Sequence, residues 1–253
     1  MIDRVGLLKT AQIDRVEDAY RIYRRSRRRE ANEYKRRFSD AIEIEAIAVC
    51  DTVGSLGIPL KSFQGLNRHL WQFHDTKLAS NVRNGFHALA IDEHRPDFKP
   101  TLWSPHCSEQ RIEQRWFAGS HSDIGGGRAE SGLSALSYQW TVSELSSLGL
   151  SIEPSHFASS HFKPFDSFNE FLAGVYDLFR DRNYRVIGSM PTASEVLDPS
   201  VFHLIEKGVY QPKNKVKGYL RPVDGFVGEL GMIIESGVRP EDRHQDLRIY
   251  SVP

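Results

Sequence analysis

Two side chains with complementary acid–base chemistry stand where strand-like runs give way to loops. Residues 115–118, Arg-Trp-Phe-Ala, are mostly aromatic and apolar. The chain becomes Gly/Ser-rich at Gly119, with His121 and Asp123 in the first turn beyond. Residues 42–50, Ile-Glu-Ile-Glu-Ala-Ile-Ala-Val-Cys, alternate, become continuously apolar, and then stop at Asp51. In an open α/β sheet, ligands and catalytic groups collect outside the carboxyl ends of the strands. A histidine there is a candidate general base, because its unperturbed pKa lies near neutrality. An aspartate at a neighbouring strand end can hold the imidazole, fix its tautomer and stabilise the imidazolium. Both loops also admit a plainer reading, as tight turns whose polar side chains bond their own backbone.

Asp51 precedes His121 by 70 residues. In α/β-hydrolases the chain order is nucleophile, acid, histidine, so the pair fits the last two places. The first place calls for Ser on a Gly-x-Ser-x-Gly elbow upstream of Asp51, and residues 1–50 contain none. Val53-Gly54-Ser55-Leu56-Gly57 comes nearest, but it has Val for the first Gly and follows the acid.

Gly125, Gly126 and Gly127 allow backbone angles closed to other residues, or close approach of another backbone. They do not form a dinucleotide fingerprint, which needs Gly-x-Gly-x-x-Gly between a strand and a helix. No cofactor is called for. His74, His87 and His94 lack metal-ligand spacing and read as structural. Cys50 and Cys107 are the only cysteines and suggest no disulfide framework. Cys50, in its apolar run, reads as a small core residue.

The 253 residues suffice for one large domain or two small ones. Lys plus Arg number 33 and Asp plus Glu number 33, so net charge offers no argument for nucleic acid. The distribution is uneven: residues 1–40 hold 12 basic and 7 acidic side chains, a net of +5. The basic run lacks aromatic interleaving and any nucleic-acid reader motif, and it reads as a solvated helix face. Attraction to anionic lipid headgroups is the other reading, pertinent to a lipid substrate. The first residues have no apolar signal core, and no run is long enough for a transmembrane segment. A soluble, cytoplasmic protein is the simplest expectation.

The elements that would carry the pair follow from periodicity. Ile13, Val16, Ala19, Tyr20 and Tyr23 mark one apolar stripe on a single long helix over 13–38. Residues 42–50 read as a strand of a mostly parallel sheet. Val82, Phe86, Leu89 and Ala90 suit one face of a helix over 78–93. Trp71 and Phe73 read as covers for core edges, and 95–105, with three prolines, as a loop. The strand at 113–118 leads to a helix over 131–147, buried through Leu133, Leu136, Trp140 and Leu148. Another helix is expected over 162–180, and Asp198-Pro199-Ser200-Val201 begins one more.

Several of these segments, in series, resemble one family. Cys-Asp-Thr-Val-Gly-Ser-Leu-Gly (50–57), Phe-His-Ala-Leu-Ala-Ile-Asp-Glu (86–93) and Trp-Phe-Ala-Gly-Ser-His-Ser-Asp-Ile-Gly-Gly-Gly (116–127) occur in order. Asp-Pro-Ser-Val (198–201) and Tyr-Gln-Pro-Lys-Asn (210–214) follow. Together they resemble an α/β-hydrolase family catalogued as a domain of unknown function, related to the catalytic domain of type VI secretion phospholipase effectors. The resemblance implies Ser-Asp-His hydrolysis of phospholipid esters, with Asp51 as the acid, His121 as the base and Asp123, Gly125 and Gly126 supporting the loop.

Members of that family begin with a strand bearing an Asp-Gly-Thr-type motif and carry a Gly-Phe-Ser-Arg-Gly elbow ahead of the region matching residue 1. Neither stands in these 253 residues. The expectation is therefore a partial α/β-hydrolase-like fold over 1–215, a mostly parallel sheet with flanking helices whose N-terminal strands and elbow are missing. Residues 216–253 would be a loosely ordered extension. The implied partners are a lipid ester substrate and a complementary N-terminal hydrolase half. The alternative is a catalytically inactive relic that binds a partner.

Overall fold

A computed structural model describes residues 1–25, 27–54, 77–104, 107–128, 132–153, 162–170, 181–188 and 194–216. The expectations placed on Trp71, Phe73, His74 and all but the first residue of 216–253 lie outside them, as does most of the helix expected over 162–180.

Four parallel strands form the central sheet: β1 (Ile44–Cys50), β2 (Val82–Ala90), β3 (Arg111–Phe117) and β4 (Glu195–Leu197), neighbours in chain order. The register pairs Val49 with His87, Leu89 with Trp116, and Trp116 with Leu197. Side chains alternate across β2, as strand geometry requires. Phe86, Ala88 and Ala90 face Phe117, Ile124 and Trp140. Leu89 and Ile91 join Trp116, Leu133, Ile187 and Val201 on the other side. With both faces covered, this is the layered α/β arrangement of a parallel sheet, here a partial one.

Among the described residues the helices include α1 (Ile2–Val5), α2 (Val16–Arg25), α3 (Arg28–Phe38), α4 (His121–Gly125), α5 (Gly132–Ser147) and α6 (Pro199–Glu206), with one further turn of helix over Ser167–Glu170. Asp198 caps α6 by accepting from Ser200 N, and Pro199 stands at its first position, where a missing N–H costs nothing. No helix among the described residues is long and apolar enough to cross a membrane.

Four expectations need correction. The segment 78–93 is strand β2, not a helix. A strand buried on both faces has no polar side, so its apolar residues also satisfy a helical template. The segment 13–38 is not one helix: a 3-10 turn over Thr10–Arg15 precedes α2, and Arg27, extended at φ −82° and ψ 101°, separates α2 from α3. Folding back lets Ala19 of α2 and Ala31 and Tyr34 of α3 close on Val5, a small core that one straight helix could not enclose. The apolar stripe consequently splits. Ala19 is buried and Tyr23 packs against that core, whereas Ile13, Val16 and Tyr20 are exposed. Lastly, Cys50 is exposed, because it ends a strand that among the described residues stands at the edge of the sheet.

Candidate active site

The carboxyl ends of β1 and β3 bring together the two side chains that sequence spacing singled out. Asp51 follows β1 directly and takes φ +44°, the one non-glycine residue with positive φ among those described. That conformation costs an L-residue roughly 1–2 kcal/mol. The surroundings hold it: Asp51 N donates to Ala88 O at 2.7 Å, and the side chain is wholly buried.

Each carboxylate oxygen of Asp51 is used twice. Oδ1 accepts from Ala90 N at 3.0 Å and from Arg185 Nη1 at 2.6 Å. Oδ2 meets Arg185 Nη2 at 3.0 Å and His121 Nδ1 at 2.8 Å. Burial alone would raise the pKa of this carboxyl. The Arg185 guanidinium, then the bonds from His121, Arg185 and Ala90, hold it far below the usual carboxylate range. Asp51 is therefore ionised and can only accept hydrogen bonds, so Nδ1 of His121 carries the proton. In the neutral ring the lone pair is then on Nε2, for which no partner stands among the described residues. The His121 side chain is 35% exposed.

His121 owes its position to the turn before it. Asp123 Oδ2 accepts from Ser120 N at 2.9 Å, from Ser120 Oγ at 2.9 Å and from Phe165 N at 2.9 Å. A carboxylate at the third helical position reaching back to the N-cap N–H is half of a capping box. Here it starts α4 with His121 as the first residue rather than leaving it in an open loop. Gly119, at φ +125°, passes so close that a Cβ would lie 2.7 Å from Asp123 Cβ, so only glycine fits. Gly125 ends α4 and Gly126 follows at φ +81°.

Sequence reasoning missed three residues that buttress this pair. Asp92 and Glu93 follow β2 and lie beneath the His121 turn. Asp92 Oδ2 accepts from Gly119 N at 2.7 Å and Tyr210 Oη at 2.9 Å. Glu93 Oε2 accepts from Ser167 Oγ at 3.0 Å and from His121 N at 3.3 Å, while Arg95 satisfies the same carboxylate from the other side. Both acids lie in the 86–93 segment, and reading it as a strand would have placed them at a third strand end. The third residue, Arg185, had no signal: it lies 134 residues from Asp51 in a short polar stretch. Besides Asp51 it donates to Ala90 O at 2.6 Å and Phe98 O at 2.5 Å. Phe98 also meets the His121 ring edge to face at 5.4 Å.

His87 does not join the pair. Buried behind Asp51, its Nε2 accepts from Thr52 N at 2.9 Å, and its ring lies 5.1 Å from that of Trp103. Burial lowers its pKa to about 4, so it is neutral. Among the described residues no cluster of His, Cys, Asp and Glu could hold a metal ion.

The family model described as "T6SS, Phospholipase effector Tle1-like, catalytic domain" matches residues 1–144, more than half of the chain. The chain belongs to this family. The matched stretch contains Asp51, Asp92, Glu93, His121 and Asp123, whereas Arg185 lies beyond it. Neither the curated proteins nor the solved structures include a match to the chain.

Proposed function

We propose that this Tle1-like domain works in the hydrolysis of phospholipid esters, with His121 as general base and Asp51 as the acid that orients it. The observation carrying this reading is the bond from His121 Nδ1 to a buried, ionised Asp51, which holds the ring by one nitrogen and keeps Nε2 for proton transfer. In the reaction Nε2 takes the proton from a serine Oγ as that oxygen attacks the ester carbonyl carbon. It returns the proton to the departing alcohol oxygen as the carbon–oxygen bond breaks. Water then attacks the acyl-enzyme with the same base, and the fatty acid leaves.

The serine is the missing part, since no Gly-x-Ser-x-Gly stands in residues 1–253. We place it on a strand that pairs along β1. Among the described residues β1 is bonded on one side only, to β2. An apolar edge strand is a template for another strand. A serine at the carboxyl end of such a neighbour would stand beside Asp51 and the His121 turn, whose last residue, Gly125, comes close to Cys50. The same two facts favour a second reading, a partner-binding protein without catalysis of its own.

The test is ester hydrolysis by protein purified from its own source with whatever is bound to it. Fatty acid should be released from phospholipid vesicles, and His121→Ala should lower the rate by about 10³–10⁴-fold. Hydrolysis indifferent to His121 would overturn the assignment. A stable partner complex with no hydrolysis would favour the second reading.

A further inference from the structure

Five of the eight large apolar side chains exposed among the described residues fall within the first twenty: Met1, Leu7, Ile13, Val16 and Tyr20. Ile13, Val16 and Tyr20 recur at spacings of three and four, so they share one outward face of the 3-10 turn and α2 while Ala19 faces inward. Val16 and Tyr20 line a groove with Met1, bounded by Glu17, Arg21 and Arg24. Cations continue onto α3. Arg27 and Arg28 line one concavity with Asn32, and Arg28, Arg29, Lys35 and Arg36 line the next. Among the described residues, no ion pair is formed by Arg27, Arg28, Arg29 or Arg36.

An exposed apolar stripe rimmed by arginines on a helix has the chemistry of a bilayer interface: the stripe enters the acyl boundary and the cations meet phosphate groups. We propose that the α2–α3 unit docks the chain on an anionic phospholipid bilayer. Charge complementarity selects this occupant, because residues 1–40 carry a net of +5 in a chain that is neutral overall. The unit packs on α1, whose Asp3 Oδ1 accepts from Ser80 Oγ just before β2, so it stands at the amino ends of β1 and β2. It is therefore separated from Asp51 by the length of β1, roughly 20 Å. The surface is a tether, not the mouth of the active site. The choice of a bilayer over other polyanions rests on the phospholipid reading of function, but docking itself needs no catalysis.

Co-sedimentation of the full chain with vesicles tests the proposal. Binding is expected to phosphatidylglycerol–phosphatidylcholine vesicles but not to pure phosphatidylcholine, and salt should weaken it. Ile13→Ser/Val16→Ser/Tyr20→Ser and Arg27→Gln/Arg28→Gln/Arg29→Gln should each weaken it by about tenfold or more. The replaced side chains of the first variant are exposed, so its unfolding midpoint should match that of the wild type. His121→Ala should bind normally, which separates loss of docking from loss of hydrolysis. Absence of vesicle binding, or binding sensitive only to the arginines, would overturn the proposal. So would a concentration-dependent dimer that the apolar triple variant abolishes, since the stripe would then belong to a second copy.

Discussion

Arg185 Nη1 donates to Asp51 Oδ1 at 2.6 Å, and both side chains are buried at that contact, 134 residues apart in the chain. The contact makes a deeply buried carboxylate tolerable, and through Asp51 it fixes the oxygen that His121 faces. Arg185 is thus a positioning residue for the proposed base, acting through the acid.

Removing Arg185 alone leaves Asp51 with an uncompensated charge. Arg185→Met should cost about 3–5 kcal/mol of stability, the usual penalty for breaking a buried pair. Asp51→Asn placed in that background removes the stranded charge, so the double variant should be more stable than Arg185→Met. Urea unfolding of the four proteins forms the cycle, and strictly additive losses would contradict the coupling.

The pH dependence of stability has a separate source in Asp92. Burial, with the nearby Asp123 charge in the same direction, raises its pKa to about 6 against the bonds from Gly119 and Tyr210. The unfolded value is about 3.9. Between the two, the native state keeps a proton that the unfolded state has lost, so this group's contribution to stability falls as pH rises through roughly 4 to 6. Asp92→Asn keeps an acceptor for Gly119 and Tyr210 without the charge. It should therefore be more stable than the wild type at pH 7.5, by up to about 3 kcal/mol, and lose that advantage near pH 4. Thermal unfolding at the two pH values checks this, and a difference that does not change with pH would contradict it.

Cys50 reports on the side of β1 that has no partner strand among the described residues. Its exposed thiol should react with a maleimide in the chain alone. Pairing of a nucleophile-bearing strand along β1 should slow that reaction by about tenfold or more through loss of access. Unchanged labelling in a complex that hydrolyses esters would place the serine elsewhere.

The pairing of Asp51 with His121 was legible because each follows an apolar run, and a strand end is a local event in sequence. Their support was not. Asp92 and Glu93 were hidden by the helical appearance of 78–93, a consequence of β2 being buried on both faces rather than one. The division between α2 and α3 has no proline or glycine to announce it. It follows from the packing of Ala19, Ala31 and Tyr34 around Val5, which only the folded chain reveals. Arg185 belongs to the same class: its partner is fixed by tertiary structure, and no spacing rule joins residues 134 positions apart. Cys50 reads as a core residue because apolar runs suggest interior strands, and nothing in composition marks one as an edge.

Labelling with a fluorophosphonate, followed by mapping of the modified residue, tests the central claim most directly. Protein isolated from its own source, with anything bound to it, should be labelled at a single serine. Labelling should fall about 10³-fold or more in His121→Ala, because a hydroxyl without its base is a weak nucleophile. Equal labelling of wild type and His121→Ala would contradict the account, since the serine would then owe nothing to the pair formed by Asp51 and His121.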